Sequence, residues 1–217
     1  GAYNNMGVTF RKLKKLELAI EAFDKVNSQQ ATAQALECLY ELENYIEFNK
    51  RLSLVANADT GNIRVAAISS FAAQQLGQED IYPFCKNPLN MVSISNIKNY
   101  ISNDEVYLKD LLNEMNKLNA KWEPRGNTTK GGFQTGSQLF SQGGEHIKIL
   151  EDLIEKELEA YKQKFSHYQS ELIQNWPYKT KLSAWYVRLL QGGHQGSHIH
   201  PSGWVSGVIY LKTIMSI

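Results

Sequence analysis

Three of the five histidines fall between residues 194 and 200, in the run HQGSHIH. His198 and His200 are separated by one residue. In an extended strand alternate side chains point to the same face, so both imidazoles can reach one ion. Neutral imidazole is a common transition-metal ligand, and the chemistry this spacing offers is therefore metal binding. Pro201, Ser202 and Gly203 then turn the chain. Residues 204–211, WVSGVIYL, are β-rich through Val205, Val208, Ile209 and Tyr210. As a strand this segment places Ser206, Val208 and Tyr210 on one face. His194 follows Gly192 and Gly193 and reads as a loop residue at the mouth of the site.

The elements that must position these residues lie upstream. Residues 182–190, LSAWYVRLL, form a strand by β-propensity, and Gln191, Gly192 and Gly193 turn out of it. Tyr186 and Arg188 share a face of that strand. Residues 146–168 carry Ile147, Leu150, Ile154, Leu158, Tyr161, Phe165 and Tyr168 at three- and four-residue steps, which predicts an amphipathic helix packed flat on a sheet. His146 and His167 sit at its ends and read as helix-end or surface histidines. Residues 122–144 hold six glycines and read as a loop. The run beginning at Gly126 is not a phosphate loop, because it lacks the GxxxxGK[ST] order and a strand-to-helix frame. Residues 103–118 predict a helix with Asp104 and Glu105 in its first turn.

Further back, Tyr3, Met6, Gly7, Phe10, Ala19 and Phe23 match the tetratricopeptide spacing, with Gly7 giving the close helix approach. A second helix pair follows (Ala35, Leu36, Leu39 and Leu42; Ile46, Phe48, Leu52 and Val55), and then a helix over 63–76. The expected layout is residues 1–80 as TPR-like repeats, 81–103 as a linker or junction, and 104–217 as the second domain. On this pattern the chain is expected to open inside a repeat. Cys85, although beside Lys86, reads as a buried structural thiol among Pro83, Phe84 and Pro88.

Charge excludes some functions. Lysine and arginine total 23 against 22 acidic residues, a net +1, which suggests no nucleic-acid or anionic-membrane partner. Two cysteines distant in sequence fit a reduced, cytoplasmic protein better than a disulfide framework. No apolar run approaches the roughly 20 residues that span a bilayer. The sequence thus predicts a soluble protein.

The combination of strand, Gly-Gly turn, HIHP, turn and SGVIYL resembles the 2-oxoglutarate and Fe(II)-dependent oxygenases, in particular their prolyl-hydroxylase-like branch. The resemblance implies an α+β chain: N-terminal TPR-like α-helical repeats, then the helices and first strands of a double-stranded β-helix (jelly roll). It implies Fe(II), with 2-oxoglutarate and O2 as co-substrates, in hydroxylation of a peptide, protein or small-molecule C–H bond. His198 then corresponds to the first metal ligand, with His200 beside it. Tyr210 falls where such hydroxylases hold the distal carboxylate of 2-oxoglutarate, with Ser206 on the same face. The helical repeats are expected to present a peptide or protein.

Two departures qualify that resemblance. The family's carboxylate ligand stands two residues after the first histidine, and here His200 occupies that place, leaving the site one negative charge short. The family's distal histidine and its 2-oxoglutarate-binding arginine lie further on than Ile217. The expectation is a fragment truncated at both ends, holding half a site and inactive alone. Two rivals remain at this level: a non-catalytic TPR scaffold with a degenerate barrel, and a cupin-like enzyme with a three-histidine metal site.

Overall fold

A computed structural model describes residues 1–200 and 203–213. The chain divides into two compact units. The first takes residues 1–92 and 167–176, with residue 200 and residues 203–205. The second takes 93–166, 177–199 and 206–213.

In the first unit five helices form in sequence: α1 (Ala2–Lys12), α2 (Leu16–Asp24), α3 (Gln29–Glu41), α4 (Tyr45–Ala58) and α5 (Ile63–Leu76). Local chemistry sets their ends. The Ser28 hydroxyl accepts from Ala31 N at 3.2 Å, and the Asn44 and Asn62 side chains accept from Glu47 N and Val65 N at 3.3 Å, each satisfying an N–H that the helix cannot pair internally. Gly77, at φ 63°, ends α5 in the left-handed conformation.

The first two helix pairs close with the same turn. Lys14 and Glu43 take φ 58° and 57°, and the residue after each donates its N–H back to Phe10 O and Leu39 O respectively. α2 packs on α1 and α3, and α3 packs on α4 and α5. A Cβ at Gly7 would lie 2.5 Å from the Phe23 ring, so only glycine admits this approach of α1 to α2. Phe23, Leu36, Cys38, Leu39, Phe48 and Val65 fill the interior. Ile46, expected on the apolar face of the second pair, is instead 86% exposed: its neighbours Tyr45 and Phe48 take the inner positions against Tyr40.

The segment after α5 is pinned to these helices. Tyr82 is fully buried; its hydroxyl accepts from Asn62 N at 2.9 Å and donates to Asp59 O. Burial pushes the Tyr82 phenol up to about 12. Asp80 accepts from the Ser69 hydroxyl and from Tyr82 N. Phe84 O receives Leu172 N from the short helix Glu171–Gln174. Cys85 is half-buried, its thiol 3.4 Å from the Met91 sulfur, and burial raises its pKa as for a structural thiol.

The second unit contains α6 (Asp104–Met115), α7 (Leu139–Gln142), α8 (Glu145–Lys164) and a sheet of β1 (Lys121–Trp122), β2 (Thr129–Gln134) and β3 (Val187–Gln195). The sheet is antiparallel in the order β1-β2-β3. Leu111 and Ile147 are fully buried at the centre of a core that includes Tyr107, Met115, Phe140 and Leu150. The apolar stripe of α8 packs chiefly on α6 and α7 rather than flat on the sheet, and the helix stops at Lys164, short of the expected 168. Its start is held from α6: Glu114 accepts from His146 N (3.1 Å), His146 Nδ1 (3.2 Å) and Ile147 N (3.4 Å). Burial pushes the Glu114 carboxyl up, but these donors more than offset it and hold it below the ordinary value.

Three local expectations change. The expected 122–144 loop contains β2, whose glycines are there for contact: a Cβ at Gly132 would lie 2.8 Å from Arg188 O, and one at Gly131 would lie 2.9 Å from Gly193 Cα. The expected turn at Gly192 and Gly193 is a bulge inside β3, marked by a register shift opposite Gly131, so His194 is a strand residue paired with Lys130 rather than a loop residue. Residues 203–213 form no strand, because no neighbouring strand among the described residues pairs with them. The expected turn at Pro201 and Ser202 lies outside the described residues.

Candidate metal centre

The bulge carries β3 through Gln195, and the ladder extends one step further through Gly196 N to Thr128 O at 3.0 Å. This fixes the backbone just before His198. Beneath it Thr129, 1% exposed, donates from its hydroxyl to Gln134 Oε1 at 2.6 Å and receives the Gln195 side-chain amide at 3.2 Å. His198 itself is exposed, and its Nδ1 lies 2.8 Å from Gly196 O and 3.3 Å from Thr128 Oγ1. A carbonyl oxygen can only accept, so the close contact to Gly196 requires a proton on Nδ1. In the neutral ring the lone pair then sits on Nε2, the arrangement by which a backbone carbonyl prepares a histidine for metal.

His200 belongs to the first unit, whereas His198 belongs to the second. His200 is half-buried, and its carbonyl accepts from Gly203 N at 3.0 Å. The residue that ties down this segment is Trp204. Its indole N–H donates to Leu172 O at 2.9 Å, and its ring meets Phe84 edge-on at 5.1 Å. Ser206 and Tyr210 lie in the second unit on the stretch without strand pairing, Tyr210 76% exposed and Val208 70% exposed. The shared strand face expected for Ser206, Val208 and Tyr210 therefore has no strand to define it.

Tyr186 and Arg188 do share a face: the Tyr186 hydroxyl and an Arg188 terminal nitrogen lie 3.4 and 3.5 Å from Asn116 Oδ1. Arg188 also covers the Phe133 ring at 4.8 Å, and Trp122 meets the same ring at 5.1 Å. Burial raises the Tyr186 phenol, partly countered by Arg188. Thr128 was not singled out by sequence reasoning; the signal for it is the antiparallel register, which sets Thr129 against Gln195 and so brings Thr128 alongside the histidine loop.

What the structure sets at this position is one imidazole, His198, with its proton on Nδ1. Among the described residues no group of three histidine, cysteine, aspartate or glutamate side chains could enclose an ion. No helix among the described residues is long and apolar enough to cross a membrane.

A family model described as "Putative 2OG-Fe(II) oxygenase" matches residues 183–216, a short region that contains His198, His200, Ser206 and Tyr210. No curated protein and no solved structure matches the chain. The match supports the general oxygenase kind, and with it the Fe(II), 2-oxoglutarate and O2 that this family implies.

Proposed function

We propose that this chain is of the 2-oxoglutarate- and Fe(II)-dependent hydroxylase kind. The observation that carries the reading is a coincidence of two independent kinds: the family match covers the HIH run, and within it His198 has its Nδ1–H engaged by the Gly196 carbonyl. His198 and His200 would hold Fe(II), and Tyr210 with Ser206 would hydrogen-bond 2-oxoglutarate. The bound metal would supply oxidative decarboxylation of 2-oxoglutarate coupled to hydroxylation of a C–H bond. The chain's own contribution is positioning. The β2–β3 ladder aims His198, the Trp204 anchor fixes the segment after His200, and the helical unit, read as TPR-like repeats, presents a peptide or protein.

Two neutral nitrogens are a weak hold on Fe(II), so residues 1–217 on their own are expected to turn over 2-oxoglutarate slowly or not at all. The test is therefore binding first and turnover second. Anaerobic Fe(II) titration of the chain, followed by 2-oxoglutarate, reads chelation as a new visible absorption; succinate formation under oxygen reads chemistry. Loss of the absorption in His198→Ala supports the assignment. A spectrum unchanged by that substitution overturns it.

A second reading is favoured by His200 standing where the family's carboxylate ligand would be, set beside a well-packed helical unit. On that reading the chain is a non-catalytic interaction scaffold. Iron binding tighter than that of a surface histidine pair, lost in His198→Ala, excludes it.

A further inference from the structure

Across the sheet of the second unit three side chains stand in one row. Trp122 is paired with Phe133, and Phe133 with Arg188, so β1, β2 and β3 each contribute one residue to the same face. The Trp122 ring meets the Phe133 ring edge-on at 5.1 Å, and the Arg188 guanidinium lies over Phe133, 4.8 Å from its centroid. Both ends of the row are fixed. Glu123 takes φ 36°, a left-handed value that non-glycine residues rarely adopt. It is held there by its N–H donating to Gly132 O at 3.0 Å and by its carboxylate accepting from Gly131 N at 2.7 Å, which sets Trp122 just before it. At the other end a terminal nitrogen of Arg188 reaches Asn116 Oδ1 at 3.5 Å, and the Tyr186 hydroxyl reaches the same oxygen at 3.4 Å.

Arg188 differs from the arginines of the helical unit. Arg11, Arg51 and Arg64 each pair with a carboxylate, whereas Arg188 has none among the described residues. Its planar fork is positioned by a ring and a neutral amide, so its charge stays unneutralised and most of its donors stay open. Trp122 is 49% exposed, and its indole N–H has no partner among the described residues.

We propose that this row binds a small carboxylic acid with a flat apolar body. The carboxylate takes the Arg188 fork, and the body lies along Phe133 toward Trp122. Three strands about 4.8 Å apart give the row a length of roughly 10 Å, which matches a bicyclic acid. A nucleic acid calls for a run of cations along its phosphates, and the row offers one. A stable protein partner calls for about 20–30 residues a side, far more than a row of three. The site stands on the sheet alone and is independent of the iron chemistry.

The experiment is isothermal titration calorimetry of the full 217-residue chain, without metal, against 2-naphthylacetate, its neutral counterpart 2-naphthylacetamide, and 2-oxoglutarate. The naphthyl acid should bind at least about tenfold more tightly than the amide, and more weakly as salt rises. 2-Oxoglutarate, which has the charge but no flat body, should bind at least about tenfold more weakly than the naphthyl acid. Arg188→Met keeps an unbranched stem over Phe133 and removes the fork, so it should weaken the acid by about tenfold or more and leave the amide unchanged. A merely structural role for Arg188 would weaken both. Trp122→Ala should weaken acid and amide alike, and Arg125→Met, in the turn between β1 and β2, should change neither. Absence of binding of the naphthyl acid up to about 1 mM, equal affinity for acid and amide, 2-oxoglutarate binding as tightly as the naphthyl acid, or a preference for the acid that survives Arg188→Met overturns the proposal. Since no iron is present, each of these failures leaves the oxygenase reading standing on its own test.

Discussion

Replacing Glu114 should loosen the start of α8 and, with it, the core of the second unit. The carboxylate accepts three N–H groups from His146 and Ile147 at 3.1–3.4 Å, two of them backbone donors at a helix N-terminus that has no side-chain cap of its own. A lost N-cap costs about 1 kcal/mol, and a hydrogen bond to a charged group contributes roughly 1.5–3 kcal/mol. These bonds are long and the side chain is 21% exposed, so the low end applies: about 2 kcal/mol for Glu114→Ala and about 1 kcal/mol for Glu114→Gln, which keeps one acceptor. The sign with pH follows from the lowered carboxyl. Its contribution is fully present above the unfolded-state pKa, near 4.3, and is lost as pH falls through the folded value. The gap between wild type and Glu114→Gln should therefore close as the medium is acidified below about pH 4. Urea unfolding at pH 7 and at several lower values, with hydrogen exchange at the α8 amides, reads both effects. Equal midpoints for Glu114→Ala and wild type at pH 7, or a gap that widens on acidification, would refute the capping role.

Gly193→Ala forces a Cβ to 2.4 Å from Gly131 O and should break the β2–β3 bulge, at a cost of about 2 kcal/mol or more in urea unfolding; Gly136→Ala, where nothing lies within 4 Å, serves as the control. Trp204→Phe keeps the ring beside Phe84 but loses the bond to Leu172 O, which should destabilise the first unit by about 1 kcal/mol and change its near-ultraviolet circular dichroism. Cys38 is fully buried and its thiol is pushed up to about 11 by burial, so at pH 8 it should react with a thiol reagent only at the unfolding rate of its unit, as denaturant-dependent kinetics would show.

Helices were legible because their information is local. The stripe from Ile147 through Leu150 acts within one turn, the small Gly7 meets Phe23 across a single short helix pair, and the structure places both where periodicity does. The sheet was not. β2 reads as loop because Gly131 and Gly132 have low strand propensity, yet they are needed where β3 crosses closely. That requirement belongs to a contact with residues some 60 positions away, which no window of sequence contains. The same blindness put a turn at Gly192 and Gly193, where tertiary pairing with Gly131 makes a bulge.

The site divides along the same line. The residue types at 198, 200, 206 and 210 were legible as a motif, whereas the contact that sets the His198 tautomer was not, since Gly196 O acquires its position from the Thr128 ladder. If His200 is the second ligand, two opposed consequences follow from its lack of charge. The ion is held less tightly than by a carboxylate, while the centre keeps one more positive charge and draws a dianionic co-substrate more strongly. Adding 2-oxoglutarate should then tighten iron binding more than it does in a variant with His200→Asp, because the co-substrate supplies the negative charge that the imidazole does not. The reverse order of that coupling would place His200 outside the metal's reach and leave His198 to act with other donors.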